Sequence, residues 1–232
     1  MKVEVHERQH LDYSLYLVTD RELSLGRSNL SVVQSAVKGG ISCVQLREKN
    51  CTTREFIEQA LILKDFLSVQ NRNIMLIIND RVDVAQAVDA DGIHLGQKDM
   101  PISIAKKIVG KFMIIGISAE TLDDAVQAEK DGADYIGVGP IFSTETKTDT
   151  GAPLGLEGLI RIRKTIKIPI VAIGGLNHKN AKAVIKSGAD GIAVVSAIVS
   201  ARDPEKSAKQ LKEIIIKAKR YESETNRRIR AH

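Results

Sequence analysis

Short apolar runs punctuate this chain at regular intervals, and between them apolar residues recur every three or four positions. The runs predict strands at Leu15 to Thr19, Cys43 to Arg47, Ile74 to Asn79, Gly92 to Leu95, Met113 to Ser118, Tyr135 to Gly139, Ile168 to Ile173 and Gly191 to Ser196. The spacing between them predicts helices. Phe56, Ala60, Leu63 and Leu67 share one helical face, and Thr52 followed by Glu55 supplies the pairing of a capping box at its start. Asp203-Pro204 offers an N-cap and a proline at the first helical position, ahead of Ala208, Leu211 and Ile215. Strands and helices that alternate in this way imply an α/β domain with a parallel sheet.

Three stretches are near-copies: Ala90-Asp91-Gly92-Ile93-His94-Leu95, Ala133-Asp134-Tyr135-Ile136-Gly137-Val138 and Ala189-Asp190-Gly191-Ile192-Ala193-Val194. Each reads as a helix exit feeding a strand, so the recurring unit is αβ and its repetition favours a closed, quasi-symmetric sheet. A doubly wound open sheet is the competing architecture. It normally carries a glycine-rich nucleotide turn after its first strand, and Val18-Thr19-Asp20-Arg21 has none. The expectation is a single-domain (β/α)8 TIM barrel over residues 13–220, with a polar lead at 1–12 and a basic, frayed tail at 221–232.

Composition changes this picture little. The formal net charge is +5, and the last segment carries most of it through Lys217, Lys219, Arg220, Arg227, Arg228 and Arg230 against Glu222 and Glu224. The body is therefore close to neutral. With no Trp, four Tyr and four Phe, the chain has few stacking platforms for single strands, which argues against nucleic acid as a partner. Cys43 and Cys51 have neither the number nor the spacing of a disulfide framework or zinc site. No apolar run approaches the roughly 18 residues that span a bilayer, and the segment from Met1 to Asp12 is polar rather than signal-like. These features predict a cytoplasmic protein without membrane partners, and they leave a homo-oligomer open.

In a barrel of this kind the active site lies at the C-terminal ends of the strands, which gathers the polar motifs in one place. Gln45, Arg47 and Lys49 share one face at the end of the second strand while Val44 and Leu46 take the other. Converging cations suit an anion such as phosphate; solvated charges at an exposed strand terminus are the plainer alternative. Asn79-Asp80-Arg81 follows the third strand, and Gly96-Gln97-Lys98-Asp99 the fourth. Asp80 and Asp99 suit a magnesium ion completed by water and phosphate oxygens, or a helix cap and a turn before Pro101. His94 reads as a ligand, a base or a hydrogen-bonded lining residue, and Ser118 as a hydrogen-bonding contact. A long connection from Pro140 to Pro153 holds Thr144, Thr146 and Lys147, a composition that suits phosphate or a plain loop. Gly174-Gly175 ends the seventh strand and Val195-Ser196 the eighth, where such barrels often bind a phosphate. The residues alone point to a barrel that handles two phosphorylated small molecules.

Taken in order, Tyr16-Leu17-Val18-Thr19-Asp20, Val44-Gln45-Leu46-Arg47-Glu48-Lys49, Ile78-Asn79-Asp80-Arg81, Gly92-Ile93-His94-Leu95-Gly96-Gln97, Gly137-Val138-Gly139-Pro140-Ile141-Phe142, Thr144-Glu145-Thr146-Lys147 and Ala172-Ile173-Gly174-Gly175 resemble the thiamine-phosphate synthase (thiamine-phosphate pyrophosphorylase) family. The resemblance implies a transferase that condenses hydroxymethylpyrimidine diphosphate with thiazole phosphate, releasing pyrophosphate, through a dissociative pyrimidinylmethyl cation and with Mg2+ as cofactor. It implies that Gln45, Arg47, Lys49 and Asn79 hold the pyrimidine diphosphate, that Asp80 and Asp99 hold the metal and that Ser118 contacts the pyrimidine. Thr144, Thr146, Gly175, Val195 and Ser196 would hold the thiazole phosphate, with Lys147 reaching the diphosphate. Arg47, Lys49, Lys147 and Ser118 form the implied catalytic set. The family commonly has histidine after Ser118-Ala119, where this chain has Glu120. The related thiazole tautomerase, and a noncatalytic barrel that binds thiazole or thiamine phosphate, are the alternatives.

Overall fold

A computed structural model of the chain describes residues 11–70, 73–144 and 151–230. Eight strands run in parallel and in sequence order, and the eighth pairs with the first to close a barrel. They are β1 (Leu15–Val18), β2 (Cys43–Leu46), β3 (Met75–Asn79), β4 (Gly92–Leu95), β5 (Ile114–Ala119), β6 (Tyr135–Val138), β7 (Ile170–Ala172) and β8 (Gly191–Val194). The helices between and after them are α1 (Asn29–Lys38), α2 (Thr53–Ser68), α3 (Val82–Ala87), α4 (Ile102–Val109), α5 (Leu122–Lys130), α6 (Gly155–Thr165), α7 (Ala181–Lys186), α8 (Ser196–Val199) and α9 (Pro204–Arg230). The expected barrel is therefore present, with a one-turn α8 inserted between β8 and the closing helix. The capping box at Thr52 forms in full, and Asp203 Oδ1 accepts the Lys206 N–H at the start of α9 at 2.9 Å.

Two apolar layers follow from the period-2 alternation of the strands. Leu15, Leu17, Val44, Leu46, Ile78 and Ile93 face outward and pack beneath the helices with Phe56, Ala60 and Leu63 of α2. Tyr16, Val18, Cys43, Met75, Ile77, Ile114, Tyr135, Val171 and Ala193 fill the inside. Each large aliphatic side chain fully buried in the outer layer contributes about 1.5–3 kcal/mol. Cys43 and Cys51 are free thiols, as their spacing implied.

The repeated Ala-Asp motif has a structural use. Asp91, Asp134 and Asp190 each accept, through a side-chain oxygen, the backbone N–H of the preceding odd-numbered strand, at Leu76, Ile115 and Ile170, over 2.7, 2.8 and 2.8 Å. Their own N–H groups donate to the carbonyls of the same three residues at 3.1, 2.8 and 2.8 Å. Each aspartate thus clasps the entry end of one strand, far from the chemistry. Hydrogen bonds of this kind contribute about 0.5–1.5 kcal/mol each. Among the described residues, no helix is long and apolar enough to cross a membrane.

Candidate active site

β2 ends at Leu46, one residue earlier than the apolar pattern predicts, so Arg47 and Lys49 leave the sheet. Gln45 remains inside it and is 6% exposed. Arg47 is held at both ends: its N–H donates to Thr19 Oγ1 at 3.0 Å, and its guanidinium reaches Asp20 Oδ2 at 3.2 Å. Glu48 takes the other direction and pairs with Arg21 and Asn29. Lys49 crosses to the next strand end, where Nζ lies 2.5 Å from Asp80 Oδ2. Both cations are thus paired with carboxylates at neighbouring strand ends, Arg47 largely shielded and Lys49 half exposed.

Asp80 sits at φ 61°, a left-handed conformation that costs a non-glycine residue on the order of 1 kcal/mol. Its N–H donates to the His94 carbonyl at 2.9 Å, which fixes the turn. The residue does not cap α3, whose N-cap is Arg81, so its carboxylate is available to the rim. Burial opposes its charge, yet hydrogen bonds from Lys49, Asp99 and Asn79 and the charge on Lys49 hold its carboxyl below the ordinary value. Asp99 moves the other way. Burial pushes it up first, then its hydrogen bond with Asp80, against the pull of the Gly96 N–H. Asp99 also closes its turn by accepting that N–H at 2.7 Å. Two carboxyls in contact beside a lysine supply the hard oxygen donors that suit a divalent cation. Among the described residues no group of three or more His, Cys, Asp or Glu forms an all-protein metal cage.

Below this cluster the barrel carries polar groups inside. His94 bonds Tyr135 Oη through Nδ1 at 2.9 Å and Ser118 Oγ through Nε2 at 3.0 Å. These contacts agree with the reading of His94 as a hydrogen-bonded lining residue. Ser118 is half-buried on the inner face of β5, and Gln97 Nε2 donates to its carbonyl at 2.6 Å. Asn79 is 8% exposed on β3. Sequence reasoning gave no role to Tyr16, Tyr135, Asp20 or Thr19. Inward-facing strand positions were readable for both tyrosines, but their contacts join residues 119 positions apart.

The other side of the rim is neutral. Gly175 has φ 65°, and a Cβ there would lie 2.6 Å from the Ser143 carbonyl, so the turn after β7 admits only glycine without a shift. Asn180 Nδ2 donates to the Gly175 carbonyl at 2.9 Å and holds that turn. Val195 and Ser196 follow β8 directly, half-buried and exposed in turn. Thr144 stands half-buried at the start of the long loop, while Thr146 and Lys147 lie outside the described residues. Glu120, at the position of the expected histidine, accepts the Gly151 N–H at 3.3 Å and so ties the exit of that loop to the end of β5.

The thiamine monophosphate synthase family model matches residues 15–198, which span every strand and every rim motif above. The chain is 53% identical over 205 residues to the thiamine-phosphate synthase of Chloroflexus aurantiacus, covering 88% of this chain and 94% of that protein. It is also 53% identical over 203 residues to the thiamine-phosphate synthase of Syntrophomonas wolfei, covering 88% and 96%. In structure it is similar to the thiamine phosphate pyrophosphorylase from Pyrococcus furiosus, with a TM-score of 0.82 and 43% identity over 90% of this chain and 98% of that one. With barrel, rim and sequence in agreement, the chain belongs to the thiamine monophosphate synthase family.

Proposed function

We propose that this protein condenses hydroxymethylpyrimidine diphosphate with thiazole phosphate to give thiamine phosphate and pyrophosphate, using the rim of residues 13–220 as its catalytic site. The observation that carries this reading is the cluster of Lys49, Asp80 and Asp99 beside Arg47, a device suited to a diphosphate. In the proposal Arg47, Lys49, Asn79 and Gln45 bind the diphosphate end, with Lys147 reaching it from the long loop. Ser118 contacts the pyrimidine. Thr144, Thr146, Gly175, Val195 and Ser196 hold the thiazole phosphate.

Asp80 and Asp99 fit magnesium by the chemistry of their oxygens, with the remaining positions left to water and phosphate. Bound there, the ion supplies positive charge to the diphosphate oxygens. The rest of the catalysis falls to the chain. As the C–O bond to the diphosphate breaks, its electron pair passes to the leaving oxygen, where Arg47, Lys49 and Lys147 meet the growing charge. The pyrimidinylmethyl cation left behind is captured by the thiazole nitrogen, held close by the neutral side of the rim. No enzyme nucleophile is required, and the rim offers cations in place of one. A tautomerase would have no use for the β2 to β4 charges, and Glu120 gives it no imidazole at the relevant position.

The test is product formation with both substrates and magnesium present. Thiamine phosphate and pyrophosphate are expected in equal amounts, and pyrophosphate should not accumulate when thiazole phosphate is left out. Absence of both products from the folded protein would reject the reading.

A further inference from the structure

Inside the barrel, hydrogen bonds join five side chains from five strands in a line, with the Cys43 thiol as a side branch at Tyr16. Gln45 Nε2 lies 2.9 Å from Tyr16 Oη, Tyr16 Oη 2.9 Å from Tyr135 Oη, Tyr135 Oη 2.9 Å from His94 Nδ1, and His94 Nε2 3.0 Å from Ser118 Oγ. The line starts on β2, passes through β1, β6 and β4, and ends on β5. Its middle excludes water, with Tyr16 and Tyr135 at 1% and 0% exposure. Burial pushes both phenols well above their ordinary value, so each keeps its one proton. Glycines make the room: a Cβ at Gly116 would lie 2.1 Å from the Tyr135 ring, and one at Gly137 would lie 2.9 Å from the His94 ring.

A line of groups with one proton each has a direction, and its first member sets it. The amide nitrogen of Gln45 donates and does not accept. It therefore donates to Tyr16, whose single proton passes on to the Tyr135 oxygen, a stronger acceptor than the Cys43 sulfur that also touches Tyr16, and the Tyr135 proton passes on to Nδ1 of His94. An imidazole that accepts at Nδ1 carries its proton on Nε2, and that proton faces Ser118 Oγ. The Ser118 hydroxyl accepts it and keeps its own proton for a group in the site.

We infer that Gln45, Tyr16, Tyr135 and His94 are positioning residues that fix Ser118 as a hydrogen-bond donor, so that the site selects a heterocycle presenting a ring-nitrogen lone pair at that point. The inference rests on the proposed contact between Ser118 and the pyrimidine, and deepens it by stating which partner donates. Because each bond in the line polarises the next, a break anywhere upstream reaches Ser118. The opposite direction, with the Gln45 carbonyl toward Tyr16, would move the His94 proton to Nδ1 and make Ser118 an acceptor outward.

Two measurements decide it. Nitrogen-15 NMR of the substrate-free full chain at neutral pH is expected to show His94 as the neutral tautomer protonated at Nε2. A proton on Nδ1, or an imidazolium, overturns the inference whatever the protein catalyses. In kinetics, Tyr135→Phe keeps the ring and removes only the hydroxyl. It is expected to lower kcat/KM for the pyrimidine diphosphate roughly tenfold, and to cost less than about twofold when Ser118 is already alanine. Tyr16→Phe breaks the same line one step earlier and serves if Tyr135→Phe does not fold. Equal losses with and without Ser118 overturn the inference. A parental rate for Ser118→Ala would instead reject Ser118 as a substrate contact, leaving the NMR result to decide the direction of the line.

Discussion

On the β2 to β4 side of the rim the charged groups come already paired: Arg47 with Asp20, Lys49 with Asp80, and Asp80 with Asp99. On the β7 and β8 side the same rim offers a glycine turn braced by the Asn180 side-chain amide and an exposed serine, with no charged pair among them. The first side stores charge and must exchange partners when an anion arrives. The second stores geometry and needs no exchange. A leaving diphosphate gains charge during reaction and benefits from cations that strengthen their hold as it departs, whereas a spectator monophosphate needs only a fixed seat. The difference between the sides thus matches the difference between the proposed substrates.

Arg47→Ala should break the charged side most severely. Contacts that grow in the transition state are worth roughly 2.7–4 kcal/mol, so kcat should fall about a hundredfold to a thousandfold in steady-state assays. Arg47→Lys should restore only part, because an ammonium lacks the guanidinium fork. A variant within about twofold of the parent would return the β2 cations to the solvated surface.

Ser196→Asp is the matching insult to the neutral side. A carboxylate there repels a monophosphate, so KM for thiazole phosphate should rise by roughly tenfold or more while KM for the pyrimidine diphosphate changes little. Comparable changes in both would merge the two sites into one. Asp80→Asn and Asp99→Asn sharpen the comparison further, since each removes a metal oxygen's charge at nearly constant shape. Each should raise the magnesium needed for half-maximal rate by about tenfold, with partial recovery at high magnesium. Insensitivity of the parent to a chelator would reject the metal assignment. The smallest expected effect lies far from the rim. Asp134→Asn keeps a side-chain oxygen for the Ile115 N–H and should cost about 1 kcal/mol in denaturant unfolding, with kcat unchanged.

The barrel was legible because each strand is a short apolar run and each crossover a helical pattern. No strand end differs from its expected position by more than two residues. Arg47, Lys49, Asp80 and Asp99 were legible because they follow strand ends directly, and the structure brings the last three into one cluster. Tyr16 and Tyr135 were not legible as hydrogen-bond partners of each other. The alternation places both inside, but which inward residues meet is decided by strand tilt and closure, which no local pattern encodes. Asp20 escaped for the same reason: its partner Arg47 stands 27 residues away. Thr146 and Lys147 belong to the part of the long loop outside the described residues, so their assignment still rests on the family resemblance.

The separation of the two anion sites is the central claim, and calorimetric titration reads it directly. Pyrophosphate with magnesium, and separately thiazole phosphate, are titrated into the parent, Arg47→Ala and Ser196→Asp. The expected result is a crossed pattern, in which Arg47→Ala weakens pyrophosphate and spares thiazole phosphate while Ser196→Asp does the reverse. Parallel weakening of both ligands in either variant would contradict it.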